Sequence, residues 1–158
     1  MPGVGHFDAT RGLSGDWRAG IKAGVADGTP LLGICVGLQW LFEGSTEAPH
    51  VEGLGLFKGT CFTFTFPASE RQKVPHVGWN EVEIAPSSKL MAALVSPADF
   101  YFVHSYYAPL AATDGIASGI CDYGVRFCAA LERDNIAAVQ FHPEKSQLGG
   151  MKLLETFL

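Results

Sequence analysis

Cys35 stands between Gly33 and Gly37 in the pentapeptide Gly-Ile-Cys-Val-Gly. This G-x-C-x-G pattern is the cysteine form of a nucleophile elbow, in which a strand turns sharply into a helix. Small residues must flank such a turn, and the helix N-terminus behind the sulfur favours a thiolate. The backbone N–H of Val36 would then face the oxyanion formed on attack. A second reading stays open on the pentapeptide alone, because most free cysteines are small buried apolar residues. Cys61, Cys121 and Cys128 lack the flanking glycines and read as core.

A thiol nucleophile needs a base to take its proton. The chain has five histidines. His6 and His50 lie in Gly- or Pro-rich contexts with no carboxylate partner evident from the sequence. His104 and His142 each end a predicted strand, the place where open α/β sheets carry functional groups. Only His142 is followed by Pro143 and Glu144. A stiffened turn there brings a carboxylate to the imidazole, where it fixes the tautomer and supports the imidazolium. By itself His142 reads equally well as a hydrogen-bonded loop histidine.

The elements that must position these groups follow from hydropathy. Residues 31–34 form a short apolar run and residues 36–42 continue at near-helical spacing, which predicts strand, turn and helix around Cys35. Residues 59–66 set Thr against Cys and Phe and predict a strand with one buried face. Residues 100–105 and 137–142 predict two further strands. Residues 123–141 read as a hairpin turning at the polar residues 132–135. Residues 149–158 read as a helix with Met151, Leu154 and Phe157 on one face. Helices beside a sheet that mixes parallel strands with a β-rich insertion give an α/β class.

Composition excludes several alternatives. The 158 residues make one domain's worth of chain, 47% hydrophobic and 17% charged, which describes a packed core and not disorder. A net charge of −5 without a Lys/Arg run leaves no footprint for nucleic acid. No apolar run approaches the ~20 residues that a membrane span needs. The N-terminal residues lack a signal-peptide pattern. Four scattered cysteines form neither a zinc pattern nor a disulfide scaffold, so a reducing cytosol is the default and no metal or cofactor is called for.

GICVGLQ at 33–39 and QFHPEKS at 140–146 together carry more than either alone. The chain resembles the class I (triad) glutamine amidotransferases, and among them the glutaminase subunits of imidazole glycerol phosphate synthase. PGVG at 2–5, GLGLFKG at 53–59, VPHVGWNEV at 74–82 and YFVHSYY at 101–107 narrow the match and stand in the family's order. The resemblance implies a flavodoxin-like mixed sheet flanked by helices, as a single domain over 1–158. It also implies strand–helix material ahead of PGVG, so the expected domain is N-terminally incomplete and lacks the usual first strand–helix units.

For the site, the resemblance implies Cys35 as nucleophile, His142 as acid and base, and Glu144 as its orienting carboxylate. Val36, Gly3 and Val4 would form the oxyanion hole. Glycine at 3 lets that peptide turn and present an N–H. Gln39, Glu47, Tyr101 and Ser105 would hold the polar groups of glutamine. Free ammonia is mostly protonated at neutral pH, so a synthase that consumes it is expected: by resemblance, a (β/α)8 barrel subunit forming a heterodimer. His76, Trp79, Asn80 and Lys145 would face that barrel. Three rival readings remain: another class I amidotransferase, such as one serving pyridoxal phosphate synthesis; an inactive fragment that only docks on its barrel; and a cysteine hydrolase that shares the elbow.

Overall fold

The chain folds around its apolar runs because each must cover itself on both faces. A computed structural model describes residues 1–3, 5–69 and 72–158. The run Leu-Leu-Gly-Ile-Cys becomes strand β2 (Leu31–Cys35), parallel to β1 (Pro2–Gly3) on one side and to β10 (Ile136–Val139) on the other. Val139 pairs with Ile34, and Gly3 pairs with Cys35. Parallel strands lie inside a fold, and all four residues of β10 are buried.

From β10 the sheet continues antiparallel into β9 (Arg126–Arg133), which makes the predicted hairpin, with Asp134 at a φ of 54° in its turn. β9 is a branch point. One edge carries β10 and then β7 (Tyr106–Pro109), which leads through β4 (Thr60–Thr63) to β3 (Gly44–Ser45). The other edge carries β8 (Ala117–Asp122), β5 (His76–Ile84) and β6 (Ala98–His104) in turn. These are ten strands among the described residues.

Alternation on β10 and β9 divides the core between the two faces. Ile136, Ala138, Cys128 and Leu131 join Phe7, Leu38, Trp40 and Phe42 on one side. Ala137, Val139, Phe127 and Ala129 join Phe100, Phe102, Phe141 and Leu153 on the other. Three helices flank the sheet: α1 (Asp16–Ala26), α2 (Val36–Trp40) and α3 (Gln147–Phe157). The expectation of an α/β mixed sheet flanked by helices is met.

Three expectations need correction. The strand predicted over 59–66 ends at Thr63, because the pattern slips: Cys61 and Phe64 are buried while Phe62 faces out. The strand predicted over 137–142 ends at Val139. His142 therefore sits beyond it, at the entry of a short 3-10 turn over Pro143–Lys145. On α3 the buried residues are Gly150 and Leu153, and Met151 is 58% exposed. Gly150 can face inward because it has no side chain; a Cβ there would overlap the Pro143 carbonyl. Helix α1 had no counterpart in the sequence reading; it buries no residue fully.

Candidate active site

Cys35 closes β2 and caps α2 with φ 55° and ψ −111°. A non-glycine residue held there stores strain on the order of 1–3 kcal/mol, and such strain gathers at functional sites. The two glycines make the turn possible. A Cβ on Gly33 would lie 2.9 Å from the Gly37 carbonyl oxygen, and one on Gly37 would overlap the Met1 carbonyl.

The sulfur is almost enclosed. Its S–H is directed to the Val103 carbonyl at 3.9 Å, and the Gln140 side-chain Nε2 lies 3.6 Å from it. Burial pushes the thiol up to about 11, while hydrogen bonds from the Val36 backbone and Gln140 pull the other way and the Glu144 and Glu47 carboxylates add to the rise. At pH 7 only about one molecule in 10⁴ would carry a thiolate unaided, so attack requires a base.

His142 is buried and paired with a carboxylate. Its ring is 1% exposed and its Nδ1 lies 2.7 Å from Glu144 Oε1. A carboxylate only accepts, so Nδ1 carries the hydrogen and Nε2 keeps its lone pair. Among the described residues Nε2 is buried without a hydrogen-bond partner, and it makes no hydrogen bond to the Cys35 sulfur. The backbone is pinned as well: His142 N–H donates to Tyr101 O at 2.9 Å, and Ser146 Oγ donates to His142 O at 2.6 Å.

A cleft of about 240 Å³ opens over the elbow, lined by Cys35, Val36, Gln39, Glu47 and Ser105. Glu47 Oε2 accepts from Phe7 N–H at 2.7 Å, which ties the segment following β1 to the cleft wall. Both N–H groups of the Gln39 amide are spent inside the protein, on Tyr106 O at 2.8 Å and Gln140 Oε1 at 3.1 Å. Its oxygen is left to accept from a ligand. Gly3 lies across from Cys35 in the sheet; Val4 lies outside the described residues. A larger groove of about 510 Å³, lined by Trp17, Ile21, Val25 and Leu31, runs along α1 away from this chemistry.

Other expected site residues fall elsewhere. Tyr101 does not line the cleft; its ring stands edge-on to Trp79, with centroids 6.0 Å apart. Its backbone instead holds the H-P-E turn, accepting from His142 and donating to Ser146 Oγ. His76 cannot be a surface contact as it stands, because it is 2% exposed and stacks on Tyr123 at 3.8 Å. Strand alternation explains this: His76 and Val82 face in, whereas Val77 and Trp79 face out, 54% and 48% exposed. Asn80 leans toward His76 and donates to Asp122 O at 3.1 Å. Lys145 is exposed. His6 and His50 do have acidic neighbours, Glu47 at 4.0 Å and Asp8 at 3.0 Å, brought from afar in sequence.

Gln140, His104 and Ser146 went unassigned in the sequence reading. His104 Nδ1 donates to Tyr106 O at 2.8 Å, so its Nε2 accepts from His76 Nδ1 at 3.1 Å. Gln140 follows a strand that runs parallel to the one ending in Cys35, a neighbourhood that only the fold creates.

A family model described as "Glutamine amidotransferase class-I" matches residues 1–158. The imidazole glycerol phosphate synthase subunit HisH of Thermococcus kodakarensis is 45% identical over 162 residues, covering 99% of this chain and 80% of that protein. The HisH subunit of Deinococcus radiodurans is 48% identical, covering 99% and 73%. Among solved structures, PurLQS of Thermotoga maritima superposes with a TM-score of 0.68 at 16% identity, over 94% of this chain and 70% of that one. The glutaminase domain of Trypanosoma brucei CTPS with bound acivicin gives 0.62 at 17%, over 99% and 68%. These last two likenesses speak to the fold, and the HisH identities speak to the group. With the matched family model, they establish that the chain belongs to the class I glutamine amidotransferases, among the HisH subunits of imidazole glycerol phosphate synthase.

Proposed function

We propose that this chain hydrolyses glutamine to glutamate and ammonia through a thioester on Cys35, and passes the ammonia to a synthase partner that makes imidazole glycerol phosphate in histidine biosynthesis. The observation that carries this reading is the strained elbow of Cys35 together with a buried His142 whose Nδ1 is held by Glu144 and whose Nε2 has no hydrogen-bond partner among the described residues. His142 Nε2 takes the thiol proton as the sulfur attacks the side-chain amide carbon. The tetrahedral oxyanion is met by the Val36 N–H, with Gly3, the sheet partner of Cys35, opposite. His142 then returns the proton to the leaving nitrogen, ammonia departs and the thioester forms. Water, deprotonated by His142, cleaves the thioester to glutamate. Gln39 Oε1, Glu47 and Ser105 hold the substrate's polar groups in the cleft.

The residues act as one domain, in the cytosol, where the four unpaired thiols stay reduced. The partner is a (β/α)8 barrel. It docks on the outward face of β5, where Val77 and Trp79 are exposed, with the exposed Lys145 as a charged contact. An inward His76 supports that strand from behind. The direct test is glutamate release from glutamine with and without the barrel subunit and its nucleotide ligand. The proposal expects turnover that rises when the liganded barrel is added. Fast turnover indifferent to any barrel would refute the coupling.

A further inference from the structure

The Cys35 sulfur accepts a side-chain hydrogen bond from a residue outside the expected site, Gln140. Gln140 is fully buried. A chain of hydrogen bonds fixes which of its ends faces the sulfur. Tyr106 O is a carbonyl and can only accept, so the Gln39 amide must turn its nitrogen that way, at 2.8 Å. The second hydrogen of that nitrogen goes to Gln140, 3.1 Å away, so Gln140 must offer its oxygen. That leaves the Gln140 N–H pointing at Cys35 Sγ, 3.6 Å off. A backbone carbonyl at one end thus sets the polarity of two side-chain amides and delivers an N–H donor to the sulfur at the other.

We infer that Gln140 holds the Cys35 sulfur in place and stabilises its thiolate at the moment of attack, with Gln39 as the positioning residue that orients Gln140. This rests on Cys35 being the nucleophile. The bond matters because the sulfur is buried, the carboxylates of Glu144 and Glu47 both disfavour its ionised form, and Gln140 adds a side-chain donor to the Val36 N–H that opposes them. A donor to an ionised group in such a site is stronger than a neutral pair.

The test is iodoacetamide alkylation of Cys35 in the whole chain, read by mass spectrometry across pH. Only molecules whose Cys61 and Cys128 stay unmodified are counted, since both are fully buried while the chain is folded. Gln140→Glu keeps the acceptor for Gln39 and removes the donor. Gln140→Met removes both polar groups and serves if the first variant does not fold. The Glu variant should alkylate at least about threefold more slowly at about pH 8, because a thiol's gain in thiolate fraction outweighs its loss of nucleophilicity. The deficit should shrink toward about pH 5.5, where a buried carboxyl is protonated and donates again. The Met deficit should hold at every pH. Glutamine turnover should fall in kcat with KM unchanged. A Gln140→Glu rate within twofold of wild type at all pH values, or a deficit indifferent to pH, overturns the inference. Persistent turnover in Cys35→Ala with the alkylation result intact would instead sink the glutaminase reading and leave Gln140 as a thiol-holding residue.

Discussion

Glu144 is half exposed, yet its Oε1 sits 2.7 Å from a ring that is itself enclosed. Its value lies in the tautomer it imposes and not in its own burial. Glu144→Gln keeps the shape but lets an amide N–H face Nδ1, which invites the hydrogen onto Nε2 and removes the base. We expect kcat for glutamine to drop by about 10²–10⁴-fold with KM nearly unchanged; steady-state kinetics at saturating partner check this, and a loss confined to KM would argue against the role. The pair His142 and Glu144 was legible because two residues of stiff chain separate them. Gln140 was not, since its partners Gln39 and Cys35 arrive from about a hundred residues away in sequence. His76 was misplaced for a simpler reason: the motif that holds it is a strand, and residues an odd number apart in a strand, as His76 and Trp79 are, point to opposite faces.

At the scale of elements, α3 shows where periodicity alone misleads. A stripe of Met151, Leu154 and Phe157 and a stripe of Gly150, Leu153 and Phe157 differ by a fraction of a turn, and hydropathy favours the first because glycine adds nothing to it. Close approach to Pro143 brings Gly150 and Leu153 inside, leaves Leu154 and Phe157 packed at the core's edge and turns Met151 out. Leu153→Ala should therefore cost about 2–5 kcal/mol, whereas Met151→Ala should stay within about 0.5 kcal/mol of wild type. Urea unfolding distinguishes them, and equal losses would return Met151 to the core. The strand–elbow–helix unit around Cys35 was legible because its glycines report a steric need. The branch at β9 was not, because three neighbouring strands choose their register through contacts far apart in sequence.

For the whole molecule, the buried titratable groups bound the pH range of stability. Burial depresses His76 to about 4 and His104 to about 3. Below pH 6.5 the unfolded chain therefore binds protons that the folded chain refuses. The stability these two rings contribute is complete above 6.5 and is lost as pH falls toward 4, at about 1.4 kcal/mol per pH unit for each. The thiols act in the opposite direction. Burial raises Cys35 to about 11, and Cys121 and Cys128 to about 12, so the folded chain keeps protons that the unfolded chain releases above 9. Stability falls again as pH rises beyond that point. Urea midpoints should thus form a plateau between about pH 6.5 and 9, and a midpoint unchanged from pH 7 to 5 would contradict the account. The α/β class was legible from the order of apolar runs. The enclosure of two histidines by Phe64, Phe102 and Tyr123 was not, since it depends on strands β5 and β6 lying side by side.

The central claim is that Cys35 carries the glutamyl group, and covalent trapping tests it most directly. The chain, with its synthase partner, is mixed with glutamine, quenched in acid within one turnover and digested for mass spectrometry. The account predicts a glutamyl thioester on the peptide holding Cys35, absent in Cys35→Ala together with glutamate release. Glutamate formed at the wild-type rate with no adduct on Cys35, or with the adduct on another residue, would contradict it.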